Sequence, residues 1–216
     1  MSVTVTPTST AKPNRMDRRR EKTRQLLMCA AIDLILEKGF DETTTDEITE
    51  TADVGRRTFY NHFDNKKDCV KAAVGERFAH YASESIPVAE KHEDQAIALT
   101  ISAMAVFNRV SSDPITERLT MYPRLLIDAI RESQRDFITP TVINGVEQER
   151  FSSSLPLEAV DALISWGFVG LVLENIAQPD SDDHSTVWAH YLLQNLGVKQ
   201  EDIGSIIDTA RDNTAT

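Results

Sequence analysis

Between residues 44 and 67 the chain reads TTDEITETADVGRRTFYNHFDNKK, and the side chains there that could do chemistry are hydrogen-bond donors. On a helix from about Arg56 to Phe63, Phe59 and Phe63 fall on one face at i, i+4 spacing. Arg57, Tyr60 and Asn61 fall on roughly the opposite face, with Arg56 in the first turn. A guanidinium presents a planar fork that suits a guanine edge or a phosphate. Asparagine can face a base or a phosphate, and hydroxyls such as those of Thr45, Thr58 and Tyr60 suit phosphate oxygens. The pattern therefore points to binding of a nucleic acid rather than to bond breaking.

Catalytic signatures are missing from the sequence. There is no G-x-S-x-G, P-loop, G-x-G-x-x-G or C-x-x-C. The histidines (His62, His80, His92, His184 and His190) never stand at i+3 or i+4 from one another, so no helical metal pair is formed. A metal site at His184 or His190 is a minor alternative. No enzyme activity, cofactor or metal is expected. Cys29 and Cys69 sit in helical patterns and read as reduced, buried thiols.

Two elements must position the donor face. Thr44 opens a short helix, and Glu47 can reach back to its amide, the capping-box pattern. Ile48 and Ala52 share the apolar face of that helix, and Asp53, Val54 and Gly55 interrupt the period. Asp46 could accept from a cytosine amine or cap the helix. Two short helices joined by a tight turn, the second apolar behind and Arg/Tyr/Asn in front, describe a helix-turn-helix.

The residues Thr44, Ile48, Ala52, Val54, Thr58, Tyr60, His62, Phe63 and Lys66 stand at the spacings of T-x-x-x-I-A-x-x-A-G-V-S-x-x-T-x-Y-x-H-F-x-x-K. In this the chain resembles the TetR family of bacterial transcriptional repressors over roughly residues 20 to 80. It departs at Thr49 (usually Ala), Asp53 (usually Gly) and Gly55 (usually Ser). Aspartate tolerates a left-handed turn better than most residues. Glycine at an N-cap costs a few tenths of a kcal/mol relative to serine.

The resemblance implies an all-α fold: a three-helix head with the helix-turn-helix, and a larger helical body. It implies a homodimer on a palindromic operator in double-stranded DNA, with heads roughly 34–36 Å apart. Together with the side-chain chemistry it gives the DNA-contacting set Arg18, Arg19, Thr45, Arg56, Arg57, Thr58, Tyr60, Asn61, His62 and Lys66. It also implies repression released by a small apolar effector in the body, with Ile101, Met104, Phe107, Met121, Tyr122, Leu125, Phe137, Trp166 and Phe168 as lining. The alternative is a ligand-independent DNA-binding regulator controlled by a protein partner.

Charge distribution agrees with a DNA-binding N-terminal part. The chain has 216 residues and a net charge of −11, but residues 1–71 hold 13 Lys/Arg against 12 Asp/Glu. Residues 72–216 hold 10 against 22, so the acid belongs to the body. From Lys12 to Arg24 seven basic residues face only Asp17 and Glu21. Three of them, Arg18–Arg20, sit near the positive end of a helix dipole, which is unfavourable unless an anion is nearby.

Residues 1–16 read as a disordered basic arm, 17–65 as the DNA-binding domain and 66–216 as the effector-binding and dimerisation domain. The first helix starts near Asp17 and ends at Gly39, with Phe40 as the apolar contact beyond it. A longer helix from Lys66 stops near Ser85, before Pro87. Further helices follow around Ile97–Ala105, after Pro114, from Pro123 towards Phe137 with Pro140 ending or kinking it, at 155–177, 187–196 and 203–210. Apolar residues of 155–177 wrap too far round for one-sided packing, so this helix and the next are either central to one body or paired with the same helices of a second subunit, which Gly167 and Gly170 would let approach closely; two copies reading a palindrome favour the second. No apolar run of about 18 residues lacks a charge, and there is no apolar leader; a cytoplasmic protein with no membrane association is expected.

Overall fold

The computed structural model describes residues 14–134, 138–152, 155–179 and 183–214. Among these residues every regular element is a helix. The head comprises α1 (Arg15–Lys38), α2 (Thr45–Thr51) and α3 (Arg56–Tyr60), and α4 (Lys66–Ala89) links it to the body. The body is built from α5 (Gln95–Ser111), α6 (Pro114–Arg118), α7 (Pro123–Gln134), α8 (Ile138–Glu147), α9 (Leu157–Ala177), α10 (His184–Asn195) and α11 (Gln200–Thr214).

Helix α1 begins at Arg15, two residues ahead of the expected start, because Asn14 caps it. The Asn14 carboxamide oxygen accepts from the amides of Met16 (2.8 Å) and Asp17 (3.0 Å), and Asp17 accepts from the Asn14 amide (3.1 Å). At the other end Gly39 adopts φ 90° and donates to the Ile35 carbonyl at 2.9 Å. Residues 1–13 of the expected arm, with Lys12, lie outside the described residues, and Arg15 and Met16 belong to α1.

The head core is one apolar seam. Leu27, Ala31 and Ile35 of α1 meet Ile48 and Ala52 of α2, Phe59 of α3, Phe63, and Cys69, Val70 and Val74 of α4, all buried. Cys29, by contrast, is exposed. Helix α3 ends at Tyr60, three residues short of the expected Phe63. The chain turns there, with the Phe63 amide donating to the Phe59 carbonyl at 2.9 Å.

Two prolines lie within helices of the body and its link to the head. Helix α4 continues through Pro87 to Ala89, since one missing N–H in a final turn costs little compared with a helix centre. Helix α7 is described to Gln134, and Pro140 lies in the first turn of the next helix, α8, where a missing N–H has no helical partner to lose. Phe137 lies outside the described residues.

The body packs around α5, whose Leu99, Ile101, Met104, Phe107 and Val110 are buried against α4, α9, α10 and α11. An aromatic run crosses it: Phe107 on Phe168 (5.7 Å, 85°) and Phe168 on Trp188 (5.1 Å, 77°), both edge-to-face. Asp113, buried at the α5–α6 turn, ties the body to the strut. It accepts from Arg77 Nε and from the Tyr81 hydroxyl (2.6 Å), and caps α6 at the Ile115 amide (3.1 Å).

Helix α9 is apolar on all sides. Its span Glu158–Ala177 has mean hydropathy 1.5 and is long and apolar enough, by length and composition, to cross a membrane. The span nevertheless carries Glu158, Asp161 and Glu174, so it is not a charge-free run. Phe168, Val169 and Val172 face the core, whereas Leu163 and Trp166 stand open at 43% and 48% exposure. The helix also carries charge at Glu158, Asp161 and Glu174, and Asp161 pairs with Arg131 at 3.1 Å. The two glycines of α9 have different roles. A Cβ on Gly167 would lie 2.6 Å from Tyr191 of α10, so this glycine admits a helix of its own chain, while Gly170 faces open space.

Candidate nucleic-acid interface

Local sequence sets the geometry of the turn. The Thr44 hydroxyl accepts from the Glu47 amide (3.3 Å), and Glu47 accepts from the Thr44 amide (2.9 Å), the capping box expected from sequence. Glu47 also takes the Lys38 ammonium from the end of α1, which locks α2 onto α1. Bonds from Lys38 and then from Thr44 hold the Glu47 carboxyl down to about 2. Asp53 turns the chain with φ 52°, the left-handed conformation foreseen for it. Gly55 then stands at the N-cap of α3 with no side-chain cap.

Helix α3 presents Arg56, Arg57, Tyr60 and Asn61 to solvent while Phe59 is buried behind them. Thr45, Thr58 and His62 are half-buried on the same tip. Arg56 leans back on α2, 3.3 Å from Asp46 Oδ1. A hydrogen bond to Tyr60, followed by the charge of Asp46, holds its pKa up. Asp46 thus neither caps α2 nor stands free; it steadies an arginine across the turn. Arg57 makes no ion pair among the described residues, so its guanidinium is the available fork on the front of α3.

A shallow depression joins the start of α1 to the end of α3. Arg19, Arg20, Thr23, Asn61 and His62 line it, so α1 delivers cations beside the donor helix. Arg20 belongs to the basic Arg18–Arg20 run, and the structure adds Thr23, one helical turn beyond Arg19. Burial, then the charges of Arg20 and Arg24, lower the His62 pKa below its ordinary value. Arg18 is exposed on the same first turns. Lys66 is turned inward instead. Its ammonium donates to the carbonyls of Phe40 and Thr43, each at 2.6 Å, and lies 4.3 Å above the Phe40 ring. It closes the α1–α2 loop from beneath.

The expected effector lining is not brought together. Phe168 borders a narrow apolar cavity of about 50 Å³ between α4, α5, α7, α8, α9 and α10. Ile101, Met104, Phe107 and Leu125 are ordinary core nearby. Met121 is 83% exposed, and Trp166 lies on the open face of α9. Tyr122 packs on Phe40 at 4.6 Å, between head and body. The cavity's other walls, among them Phe78, Ala82, Val106, Ile130 and Trp188, were missed because small or aliphatic residues at helical spacing look the same whether they enclose space or fill it.

A three-helix head with a helix-turn-helix stands on a larger helical body. Residues 27–73 match the profile of the bacterial regulatory proteins of the tetR family. The chain is 40% identical over 70 residues to the uncharacterized HTH-type transcriptional regulator YdeS of Bacillus subtilis (strain 168), 32% of this chain and 33% of that one. It is 31% identical over 113 residues to the HTH-type transcriptional regulator TcmR of Streptomyces glaucescens, 50% of this chain and 48% of that one. The chain thus spans between a third and a half of the length of these two curated relatives. Among solved structures, RolR in complex with resorcinol superposes with a TM-score of 0.70 at 22% identity, over 88% of this chain and 95% of that one. RolR without ligand gives 0.65 at 21%, over 85% and 96%. Residues 27–73 are thus similar to the tetR family profile, and the chain as a whole shares the fold of RolR.

Proposed function

We propose that the protein is a homodimeric, cytoplasmic repressor that holds a palindromic operator and releases it when a small apolar molecule occupies the body. The observation that carries this reading is the tip of the head. There Arg57, Tyr60 and Asn61 of α3 stand exposed beside Arg18–Arg20 of α1, over a fully apolar backing. Arg57 is the base-reading fork; Arg56 and Asn61 contact bases or flanking phosphates. Arg18, Arg19, Thr45, Thr58, Tyr60 and His62 hold phosphates, and Lys66 supports the interface from behind through the α1–α2 loop.

Residues 17–65 act as the DNA-binding unit and 66–216 as the effector and dimerisation unit. The open stripe of α9, with Leu163, Trp166 and Gly170, supports a second copy as its cover rather than lipid, since the helix itself carries Glu158, Asp161 and Glu174. The cavity between α4, α5 and α9 supports an effector, and RolR, a protein of similar fold, is solved with resorcinol bound. No catalytic role is proposed.

Footprinting on the DNA upstream of its own gene tests the reading. Protection of an inverted repeat, lost on titration with a metabolite that raises the melting temperature, is the expected result. Sequence-independent coating of the duplex would overturn it.

A further inference from the structure

One carboxylate stands on the tip proposed to meet a duplex. Asp46, in the first turn of α2, has a side chain 59% exposed beside the donor helix, where phosphates would repel it. Its ion-pair partner among the described residues is Arg56, the first residue of α3. Nη1 of Arg56 lies 3.3 Å from Oδ1 and 3.4 Å from Oδ2, so both carboxylate oxygens converge on one terminal nitrogen. The side chain of Tyr60, one turn on, shares a hydrogen bond with the same guanidinium. A guanidinium has five N–H donors, so these contacts leave others for a base edge.

Position and charge set Arg56 apart. The N-terminal residues of the second helix of a helix-turn-helix are those that meet base edges, and Arg56 opens that helix. A lone cation is drawn to every phosphate of every duplex. The Arg56–Asp46 pair has no net charge, so it loses most of that attraction and keeps the planar donor fork that suits guanine. Asp46 also offsets the cost of a cation at the positive end of α3. That second role is structural, and DNA binding distinguishes it from the first.

We propose that Asp46 is a positioning residue for sequence reading: by holding Arg56 across the turn and cancelling its charge, it directs that guanidinium to a guanine edge and away from phosphates. This rests on the operator reading above and assigns Arg56, left there between bases and phosphates, to a base. Arg57 lies roughly 100° further round the helix and reads a different base pair.

The test selects duplexes from a random-sequence pool with the full chain. The selected duplex and a scrambled duplex of equal length are then bound at several salt concentrations. The side chains of Arg56 and Asp46 are 64% and 59% exposed, so substituting them removes no core packing. Arg56→Ala is expected to erase one conserved base pair per half-site while changing the slope of log affinity against log salt by less than about half a unit. Asp46→Asn frees Arg56 for phosphates. Affinity for the scrambled duplex should rise about three- to tenfold, with a salt slope steeper by about 1–2 units per dimer. Preference for the selected duplex should fall about tenfold. In the Arg56→Ala background, Asp46→Asn should change affinity for either duplex by less than about twofold. The same gain in that background would mark Asp46 as a diffuse repulsive charge and overturn the inference. So would wild-type selectivity and slope in Asp46→Asn, which would leave Asp46 a structural role alone. A pool that yields no consensus with wild type overturns the operator reading and the inference with it. A consensus that Arg57→Ala relaxes, but that Arg56→Ala and Asp46→Asn leave intact, overturns the inference alone.

Discussion

Arg57 and Arg56 are neighbours on one short helix with different duties. Arg56 is held by Asp46 and Tyr60, so its position is fixed before DNA arrives; Arg57 is the available fork. Arg57→Ala should therefore cost about 1–3 kcal/mol of operator binding and relax preference at one base pair. Tyr60→Phe should weaken specific and non-specific duplexes alike, since a phosphate contact carries no sequence. Competition binding with operator and random duplex reads both. His62 gives a pH signature. Burial and the charges of Arg20 and Arg24 lower its pKa in the free protein. A phosphate placed beside it favours the imidazolium, so binding takes up a proton, and operator affinity should rise as pH falls towards the lowered pKa of the free protein. His62→Gln should flatten that dependence; an unchanged slope would remove His62 from the contact set.

At the scale of elements, Gly55 leaves α3 uncapped, and a Cβ there meets only Thr58 Oγ1 at 4.0 Å. Gly55→Ser should raise the stability of the head by a few tenths of a kcal/mol in denaturant melts. Glu47 acts the other way with acid. Its folded pKa is depressed to about 2 from 4.5, so its contribution is complete above about 4.5 and disappears as pH falls towards 2. The gap in melting temperature between wild type and Glu47→Gln should close across that window. Asp113→Ala removes the buried acceptor shared by Arg77, Tyr81 and the Ile115 amide. It should destabilise the protein by about 2–4 kcal/mol, with Arg77 partly rehydrated at the surface.

These elements also show how much was legible. Thr44, Gly39 and Asp53 each announce a local backbone state, and the structure gives each of them that state. Elements whose limits depend on partners were not legible. Helix α3 stops at Tyr60 because Phe63 must turn under the head, and α8 forms although Pro140 reads as a terminator. Lys66 matches a spacing but not a direction: only the folded loop shows carbonyls beneath it. The cavity was the least legible part, since Ala82 and Val106 are small residues whose meaning lies in what they fail to fill.

At the scale of the molecule, the excess acid of the body and the basic start of α1 lie in different parts of the chain, which lets an acidic protein carry a basic tip suited to the proposed duplex. Leu193 is fully buried, so it belongs to the fold of one subunit rather than to a contact between two. Gly170 lies on the open stripe and is the better probe of assembly. Gly170→Arg should leave the melting temperature nearly unchanged, shift the species in light scattering from dimer to monomer, and weaken operator binding with it.

The central claim is that two copies of the α3 face read one duplex. Selecting bound duplexes from a random-sequence pool with the full chain tests it most directly. The account predicts an inverted repeat whose half-sites are centred about one helical turn apart, roughly 34–36 Å, and loss of one conserved base pair per half-site when Arg57→Ala is used for selection. A single asymmetric site, or a consensus indifferent to Arg57, would contradict it.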